Sequence, residues 1–186
     1  MMRSRWKGWR VLPGSATQPA VFEECLLPHL DHLYGLAVRL TRDAGAAEDL
    51  LQDAVLRAFE KFKQLRNPAA ARPWFVRILT RVFLNHYSAR SQESEPLESL
   101  AVAHEETPEA VLLRRSNAEE VESALAELPD GFRVAVLLAD VEELPLREIA
   151  AICGCPVGTV ASRLARGRRL LRERLAHLRR AREVGV

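Results

Sequence analysis

Arginine residues are concentrated in the C-terminal part of this 186-residue chain, and a cluster of arginines can bind an anionic partner. Nine arginines and a single acid, Glu173, lie between positions 157 and 182, whereas the segment 93–109 holds six glutamates and neither lysine nor arginine. The formal net charge is only +2, so this separation of charge is more informative than the total. A basic helix that follows an acidic segment indicates a part of the molecule that binds a polyanion such as DNA.

A short apolar segment, a tight turn and a long basic segment follow one another near the C-terminus. Residues 146–152 are predicted to form a short helix, Gly154 permits the turn, and Pro156 suits the start of the next helix. This order is typical of a helix-turn-helix, whose second helix enters the major groove of DNA. The apolar stripe predicted to be buried on that helix is Val157, Val160, Leu164, Leu171, Leu175 and Leu178. The candidate DNA contacts off this stripe are Thr159, Ser162, Arg163, Arg166 and Arg169.

Arg163 and Arg166 stand three residues apart near the start of this helix, so we expect them to share a face opposite the buried stripe. Arginine pairs bidentately with guanine in the major groove, and it also binds phosphates without regard to sequence. We therefore expect these two side chains to read bases, and Arg168, Arg172 and Arg179 to meet phosphates or solvent. The alternative is a surface helix with a solvated arginine face.

A second candidate site lies on the clearest amphipathic helix, predicted over residues 48–65. Its apolar stripe is Leu51, Val55, Ala58, Phe59, Phe62 and Leu65. The opposite side, called the docking face below, is lined by Asp49, Gln52, Asp53, Leu56, Arg57 and Glu60. A leucine among acids on an exposed face suggests docking against a helix of another protein. The alternative is a solvated face with one stray leucine.

The third predicted helix, over residues 73–89, combines basic and aromatic side chains. Such a combination suits single-stranded nucleic acid, because bases stack on aromatic rings and phosphates pair with arginine. Trp74 is better interpreted as a core residue, like Ile78 and Val82. The exposed Arg and Asn side chains of this helix are therefore the better candidates for a nucleic-acid contact.

No arrangement of residues in the sequence indicates catalysis, a metal site or a cofactor. The chain has no glycine-rich phosphate loop, no metal-binding helix signature and no nucleophile elbow. Cys153 and Cys155 lack two further ligands nearby for a structural zinc site. His29 and His32 are placed to share a helical face with Cys25, but ordinary core or surface histidines explain them better. A redox enzyme that uses the cysteine pair stays open as an alternative hypothesis.

The same cysteines bear on the compartment. Three cysteines make no disulfide framework, which favours a reducing cytoplasm. No apolar run approaches the ~20 residues that cross a membrane, and no apolar signal core follows the basic N-terminus. We therefore expect a soluble, cytoplasmic protein that does not insert into membranes.

The elements that position these sites are predicted to be helices throughout. Ala, Leu, Arg and Glu dominate the composition, and these residues favour helices. The fold class is all-α, with two small helical domains joined by a flexible linker. The predicted parts are a disordered tail over 1–20, a first domain over 21–90, an acidic linker over 91–106 and a second domain over 107–182. In the second domain, helices are expected from Thr107 to about residue 128 and over 131–141, 146–152 and 157–180.

These motifs together resemble conserved regions of the bacterial RNA polymerase sigma factors. Residues 47–59, AEDLLQDAVLRAF, resemble region 2.2, and residues 72–78, RPWFVRI, resemble the segment at regions 2.3 and 2.4. Residues 128–133, LPDGFR, and 148–163, EIAAICGCPVGTVASR, closely resemble region 4. The chain lacks room for region 1.1 and a folded region 3, a pattern similar to the extracytoplasmic-function (ECF) group of the sigma-70 family.

The resemblance implies roles for the first domain and the linker. The docking face binds the clamp helices of the polymerase's largest subunit. The loop and helix over 66–90 read the non-template strand of the minus-ten element and help to open it. The residues that carry this role are Arg66, Asn67, Arg72, Trp74, Arg77, Arg81 and Asn85. The acidic linker is similar to the connector that runs near the polymerase active site.

For the second domain, the resemblance implies binding to the flap of the other large subunit and reading of the minus-35 element. It also implies an anti-sigma factor as a partner. Arg81, Ala161, Ala165 and Gly167 depart from residues common in the family, which puts the promoter sequence in question. The alternative function is a stand-alone helix-turn-helix regulator that binds duplex DNA without polymerase. Such a regulator has no need for the docking face.

Overall fold

The computed structural model describes residues 18–87 and 114–176, and within these ranges the chain is helical with no β-strand, which confirms the all-α fold class. The helices are α1 (Gln18–Leu26), α2 (Leu30–Thr41), α3 (Ala44–Lys61), α4 (Ala71–Tyr87), α5 (Arg114–Ala126), α6 (Asp130–Val136), α7 (Leu146–Cys153) and α8 (Val157–Arg174). The predicted tail up to residue 17, the acidic linker and the helix start at Thr107 lie outside the described residues. Because α1 begins at Gln18, the last three residues assigned to that tail are helical.

The start of α3 is fixed by a side-chain cap. Arg42 has a left-handed φ of 63° and ends α2, and Oδ1 of Asp43 then accepts a hydrogen bond from Ala46 N at 2.7 Å. The helix therefore begins at Ala44, four residues before the predicted start at 48. The prediction missed this first turn because its Ala and Gly residues carry no apolar periodicity. Its end is also earlier than predicted, since the chain tightens into a 3-10 turn over Phe62–Gln64.

Helices α1 to α4 form the first domain around an apolar core. The core includes Leu33, Leu36, Leu40, Leu50, Leu51, Val55, Val76, Leu79 and Phe83. The Phe22 ring of α1 meets Phe59 and Phe62 edge to face, with ring centroids 5.2 and 5.1 Å apart. Phe59 stays partly exposed, so the predicted α3 stripe is fully buried only at Leu51, Val55 and Ala58.

The second domain contains the predicted helix-turn-helix. Helix α7 ends at Gly154, whose φ of 62° is left-handed, and α8 begins directly after Pro156. The helix predicted over 131–141 is α6 followed by a π-helical segment, Leu137–Val141. The placement of Val157 in the buried stripe is wrong: it is 42% exposed, since it is the first residue of α8 and precedes the turn that packs on the domain.

Helices α6 and α8 cross closely at Gly167. A Cβ built on this buried glycine would lie 2.7 Å from Cγ2 of Val136 and 3.3 Å from the carbonyl oxygen of Phe132. A backbone oxygen and a packed branched side chain move little, so only glycine allows this approach. The close approach of α6 therefore explains the glycine at this position of α8.

Replacing Gly167 by alanine is expected to lower the free energy of unfolding by about 1–2 kcal/mol. Overpacking costs ~1–3 kcal/mol, which exceeds the ~0.5–1 kcal/mol that the better helix propensity of alanine contributes. Gly35→Ala in α2 is the matched control, because among the described residues no atom lies within 4 Å of a Cβ at that position. It is expected to stabilise by ~0.5–1 kcal/mol. Thermal unfolding followed by circular dichroism compares them, and a Gly167→Ala variant as stable as wild type would contradict the close crossing.

The two domains lie against each other. Helix α2 contacts α5 and α6, and α4 contacts α7. The guanidinium of Arg39 in α2 forms a bidentate ion pair with Glu122 of α5 at 2.6–3.0 Å, and this hydrogen bonding raises the pKa of Arg39. The apolar residues of both domains join in one buried cluster. The sequence prediction of two tethered domains contained none of these contacts.

Arg133 of α6 is a buried polar link between the domains. Its side chain is 1% exposed, and its guanidinium donates to the carbonyl oxygens of Leu128 at 2.7 Å and Leu40 at 2.8 Å. It also donates to Oδ1 of Asp130 at 2.7 Å. Burial lowers the pKa of Arg133, and the Asp130 carboxylate opposes that shift. Because Leu40 belongs to α2, this arginine ties the second domain to the first.

Candidate functional site

The docking face is solvent-accessible, as predicted. Five of its six side chains are exposed and Asp53 is half-buried. Leu56 is 50% exposed, on a helix whose other side forms the core of the domain. A surface groove of about 360 Å³ adjoins it, lined by Asp49, Leu50, Gln52, Asp53 and His86. An acidic groove beside an exposed leucine suits a basic helical partner.

His86 is a docking-face neighbour that the sequence prediction missed. It belongs to α4, and its Nδ1 lies 3.6 Å from Oδ2 of Asp53 in α3. The prediction placed this histidine only on the helix expected to bind single strands, because nothing in the sequence relates positions 33 residues apart. The structure brings both side chains to the wall of one groove.

The three arginines predicted on α4 all meet the second domain. Arg72 Nη2 lies 3.3 Å from Oε2 of Glu142, and Arg77 Nη2 lies 2.6 Å from Oε2 of Glu148. Arg81 Nη2 donates to the carbonyl oxygen of Ala151 at 3.2 Å. All three arginines belong to α4, which begins two residues before the predicted start at 73, and each has an acceptor in the second domain.

The other candidates in this part of the chain are Arg66, Asn67, Trp74 and Asn85. Arg66 and Asn85 are exposed. Asn67 is exposed too, but its Oδ1 accepts from Ala69 N at 3.0 Å and so caps a 3-10 turn. Trp74 is half-buried, with its ring edge to face on Phe75 at 5.2 Å, which agrees with its interpretation as a packing residue.

On α8, the structure corrects the predicted position of Arg163. Its side chain does not oppose the buried stripe: it lies at the flank, where its Nε is 3.4 Å from a Cβ built on Gly131 of α6. At 100° per residue, Arg163 is only 60° from Val160 around the helix axis, which explains its position. Thr159, Ser162 and Arg166 are half-buried, and Arg169 is exposed. Ser162 Oγ donates to the carbonyl oxygen of Thr159 at 3.0 Å.

Arg168 forms an ion pair within the second domain. Its side chain is 39% exposed, and its Nε donates to Oδ2 of Asp140 at 3.0 Å, a bond that raises the pKa of Arg168. The exposed positions in the first half of α8 are Val157, Gly158 and Ala161, and Arg169 is the next exposed residue along the helix. The outward face is therefore formed by small residues followed by Arg169.

Glu142 is a buried acid that the sequence prediction passed over. Its side chain is 2% exposed and accepts from two residues of the first domain, His32 and Arg72. His32 Nε2 lies 2.8 Å from Oε1 of this carboxylate. Glu142 and the exposed Glu143 read in the sequence as a polar loop, and the contacts of Glu142 with His32 and Arg72 lie beyond what local sequence indicates.

Burial weakens the acidity of two of the cysteine thiols. Burial raises the pKa of Cys153 to about 11, and the neighbouring Cys155 adds to that shift. Burial also raises the pKa of Cys25. In the described part of the chain, no three His, Cys, Asp or Glu side chains cluster as metal ligands would.

Cys153 is therefore expected to resist alkylation. With a pKa of about 11, roughly one thiol in a thousand is ionised at pH 8, and the thiolate is the reactive form. The folded protein is treated with iodoacetamide at pH 8, and peptide mass spectrometry measures the rate of alkylation at each cysteine. Modification of Cys153 as fast as in the urea-unfolded chain would contradict this.

Comparison with known proteins identifies the family. The family model for sigma-70 region 2 matches residues 26–93, and the model for sigma-70 region 4 matches residues 118–171. The ECF RNA polymerase sigma factor SigE of Mycolicibacterium smegmatis is 35% identical over 175 residues, which cover 91% of this chain and 68% of that protein. The chain belongs to the ECF sigma factors of the sigma-70 family.

Further relatives of this ECF sigma factor agree. The RNA polymerase sigma-H factor of Pseudomonas aeruginosa is 31% identical over 168 residues, covering 84% of this chain and 87% of the relative. The solved sigma factor RpoE of Bartonella quintana, in complex with the anti-sigma factor NepR, matches with a TM-score of 0.60 and 28% identity, over 84% of this chain and 97% of that one. The solved CnrH, at 22% identity and a TM-score of 0.56, shares the fold.

Family membership decides between the hypotheses drawn from the sequence. A sigma factor confers promoter specificity on RNA polymerase by binding and is not itself an enzyme. The family therefore favours the sigma factor over the stand-alone regulator and over the cysteine-based enzyme. Among the described residues of this sigma factor, no helix is both long and apolar enough to span a membrane.

Proposed function

We propose that this ECF sigma factor binds core RNA polymerase through the docking face of α3, reads the minus-ten element with α4 and reads the minus-35 element with α8. The observation that carries the proposal is Leu56, half exposed among acids on a helix whose other side is core. The described domain leaves half of this apolar side chain uncovered. It is available to a partner, together with the groove between α3 and His86.

The docking face is proposed to fit the clamp helices of the largest polymerase subunit. Helix-on-helix docking takes apolar anchors from one helix, here Leu56, with charged residues around them. Asp49, Asp53 and Glu60 supply negative charge around the anchor, which steers a basic partner and fixes its orientation.

Helix α4 is proposed to meet the non-template strand of the minus-ten element. Arg77, Arg81 and Asn85 follow one another along the helix, within reach of successive nucleotides. Arginine pairs with phosphates and stacks on bases, which suits a strand whose bases have left the duplex. Asn67 contributes by shaping the preceding turn, because its side chain is engaged by Ala69 N.

Helix α8 is proposed to enter the major groove at the minus-35 element, with Thr159 and Ser162 near its start. Arg166 and Arg169 are the proposed arginine contacts. Arg163 is assigned a positioning role instead, because its side chain lies over Gly131 and supports the α6–α8 packing. Arg166 lies about 130° around the helix axis from the centre of the buried stripe, off the packed side of α8, which supports this assignment.

This division predicts different effects for the three arginines. Arg166→Ala is expected to cost ~1–3 kcal/mol and to relax base preference at one or two positions of the minus-35 element. Arg169→Ala is expected to weaken binding to all sequences alike. It should also reduce the slope of the logarithm of the binding constant against the logarithm of the salt concentration by about one. Arg163→Ala is expected to keep the base preference.

The measurement is promoter selection by the complete holoenzyme from a library randomised over the minus-35 element. Wild-type protein and Arg147→Ala, an arginine on α7 outside the proposed contacts, serve as controls. If Arg166→Ala keeps every wild-type preference and loses only affinity, the base-reading assignment fails. If Arg163→Ala changes the preference, its positioning role fails instead.

We further propose that the protein works in the cytoplasm and has an anti-sigma partner. The cytoplasm is where RNA polymerase acts, and three free cysteines suit a reducing compartment. The related RpoE of Bartonella quintana is bound by the anti-sigma factor NepR, which supports a partner of the same class here. Co-purification of the tagged chain from its host, with and without the inducing stress, tests this.

A further inference from the structure

We propose that Val157, the first residue of α8, reads a thymine of the minus-35 element through van der Waals contact with the C5 methyl group of that base. This role rests on the proposed function of α8 as the minus-35-reading helix. It deepens that function because it assigns one position of the helix a particular base. The contacts proposed above are polar or basic side chains, and Val157 adds an apolar one.

The exposure of Val157 is the main observation behind this role. The residue is 42% exposed, the most among the large apolar residues described in the second domain, where Val141 and Val121 follow at 37% and 36%. Those two lie outside α8, whereas Val157 begins the helix whose N-terminal residues reach base edges in a helix-turn-helix. An apolar side chain of this size at that place is available to an apolar group of the DNA.

The residues next to Val157 form an uncharged flank at the start of α8. Gly158 and Ala161 are the other exposed residues in the first half of the helix, and neither has a polar side chain. Ala161 lies one turn further on and about 40° around the helix axis, so its methyl group continues the side on which Val157 lies. Arg169 lies about 120° from Val157, on the basic side. The outward surface of α8 therefore has a methyl-bearing flank beside a basic one.

The polar side chains near the start of α8 are partly engaged within the second domain. Ser162 Oγ donates to the carbonyl oxygen of Thr159 at 3.0 Å. The side chain of Arg163 lies over Gly131 of α6. These contacts reduce the number of hydrogen-bonding groups that base edges could meet near the helix start. An apolar contact therefore contributes a larger share of the base preference there.

Thymine is the base that an apolar side chain recognises in the major groove. Its C5 methyl group projects into that groove, where the other three bases present only hydrogen-bonding groups. Helix α8 is attracted to DNA as a whole, because it carries five arginines and no acid between positions 157 and 172. Burial of one methyl group corresponds to about fourfold in affinity. Val157 should therefore favour thymine over uracil at one position by about that factor.

The test uses the complete holoenzyme and synthetic promoters that contain the minus-35 element selected by the wild-type protein. Each thymine of the element is replaced in turn by deoxyuridine, which removes only the C5 methyl group. Competition binding gives the affinity ratio of the two promoters for wild type, for Val157→Ala and for the control Val121→Ala. The control removes the same atoms from another exposed valine of the second domain. Neither substitution should alter folding, since both valines are exposed, and circular dichroism checks this.

Wild type and Val121→Ala are expected to lose about fourfold in affinity at one thymine, whereas Val157→Ala should bind both promoters equally at that position. A cytosine placed there should gain affinity on 5-methylation with wild type but not with Val157→Ala, which separates methyl contact from DNA deformability. A selected element without thymine, or one whose thymines are all insensitive to deoxyuridine, would overturn the proposal. So would a methyl effect that persists in Val157→Ala.

Failure of the thymine contact and failure of the proposed function give different results. Relaxed base preference in Arg166→Ala, together with no effect of deoxyuridine, would overturn only the thymine contact. A holoenzyme that selects no minus-35 motif from the randomised library would overturn the proposed function of α8, and the thymine contact with it.

Discussion

Replacing Arg133 by alanine is expected to lower the free energy of unfolding by about 3 kcal/mol, the largest stability effect of any substitution considered for this chain. The side chain is almost fully buried, and three acceptors depend on its guanidinium: the carbonyl oxygens of Leu128 and Leu40, and Asp130. Its removal leaves buried carbonyls without a donor and opens a cavity, and such losses add. Urea unfolding followed by circular dichroism measures the change.

Two further variants sharpen this result. Arg133→Met keeps much of the side-chain volume and removes the hydrogen-bond donors, so it separates packing from hydrogen bonding. Its free energy of unfolding should lie between those of wild type and Arg133→Ala. Arg169→Ala removes an exposed arginine and should shift stability by no more than ~0.5 kcal/mol. A loss below about 1 kcal/mol for Arg133→Ala would show that the buried guanidinium does not hold the domains as described.

The double substitution Asp53→Ala/Leu56→Ala is expected to weaken binding to core RNA polymerase by ~2 kcal/mol or more, which is about 30-fold in Kd. Leu56 is half exposed and Asp53 lines the groove beside it, so both are available as partner contacts. The same substitutions should leave the melting temperature nearly unchanged, since side chains off the core shift stability by no more than ~0.5 kcal/mol. Fluorescence titration of labelled protein with core polymerase gives the Kd.

The control for this effect is the pair Asp31→Ala/Leu27→Ala. Leu27 is 62% exposed and Asp31 is exposed, but both lie outside the docking face. This control should bind core polymerase like wild type. Equal affinity for the Asp53→Ala/Leu56→Ala variant and wild type would remove α3 from the polymerase interface.

Local signals explain why some elements were predictable. Gly154 and Pro156 mark the turn between α7 and α8 in the sequence, and the structure has the turn at those residues. Apolar periodicity also gave the buried side of α3, but not its first turn, where the Asp43 cap decides. Turn residues and apolar periodicity were therefore predictive, whereas the Asp43 cap was missed although it acts over only three residues.

Contacts between distant parts of the chain were not predictable. The pairs Arg77–Glu148 and Arg133–Leu40 join residues 71 and 93 positions apart, and no periodic pattern relates such positions. The face of Arg163 was mispredicted for a different reason. Helical spacing puts Arg163 only 60° from Val160, so the predicted face was misjudged, and the packing of α6 at Gly131 makes that flank a contact surface.

The central claim is that this chain gives RNA polymerase its promoter specificity, and run-off transcription tests it most directly. Core polymerase is incubated with fragments of the host genome, with and without the protein, and the RNA 5′ ends are sequenced. The account predicts new 5′ ends, each at a fixed distance downstream of a shared two-part motif, which are present with the wild-type chain and lost with Asp53→Ala/Leu56→Ala. The same set of 5′ ends with and without the protein would contradict it.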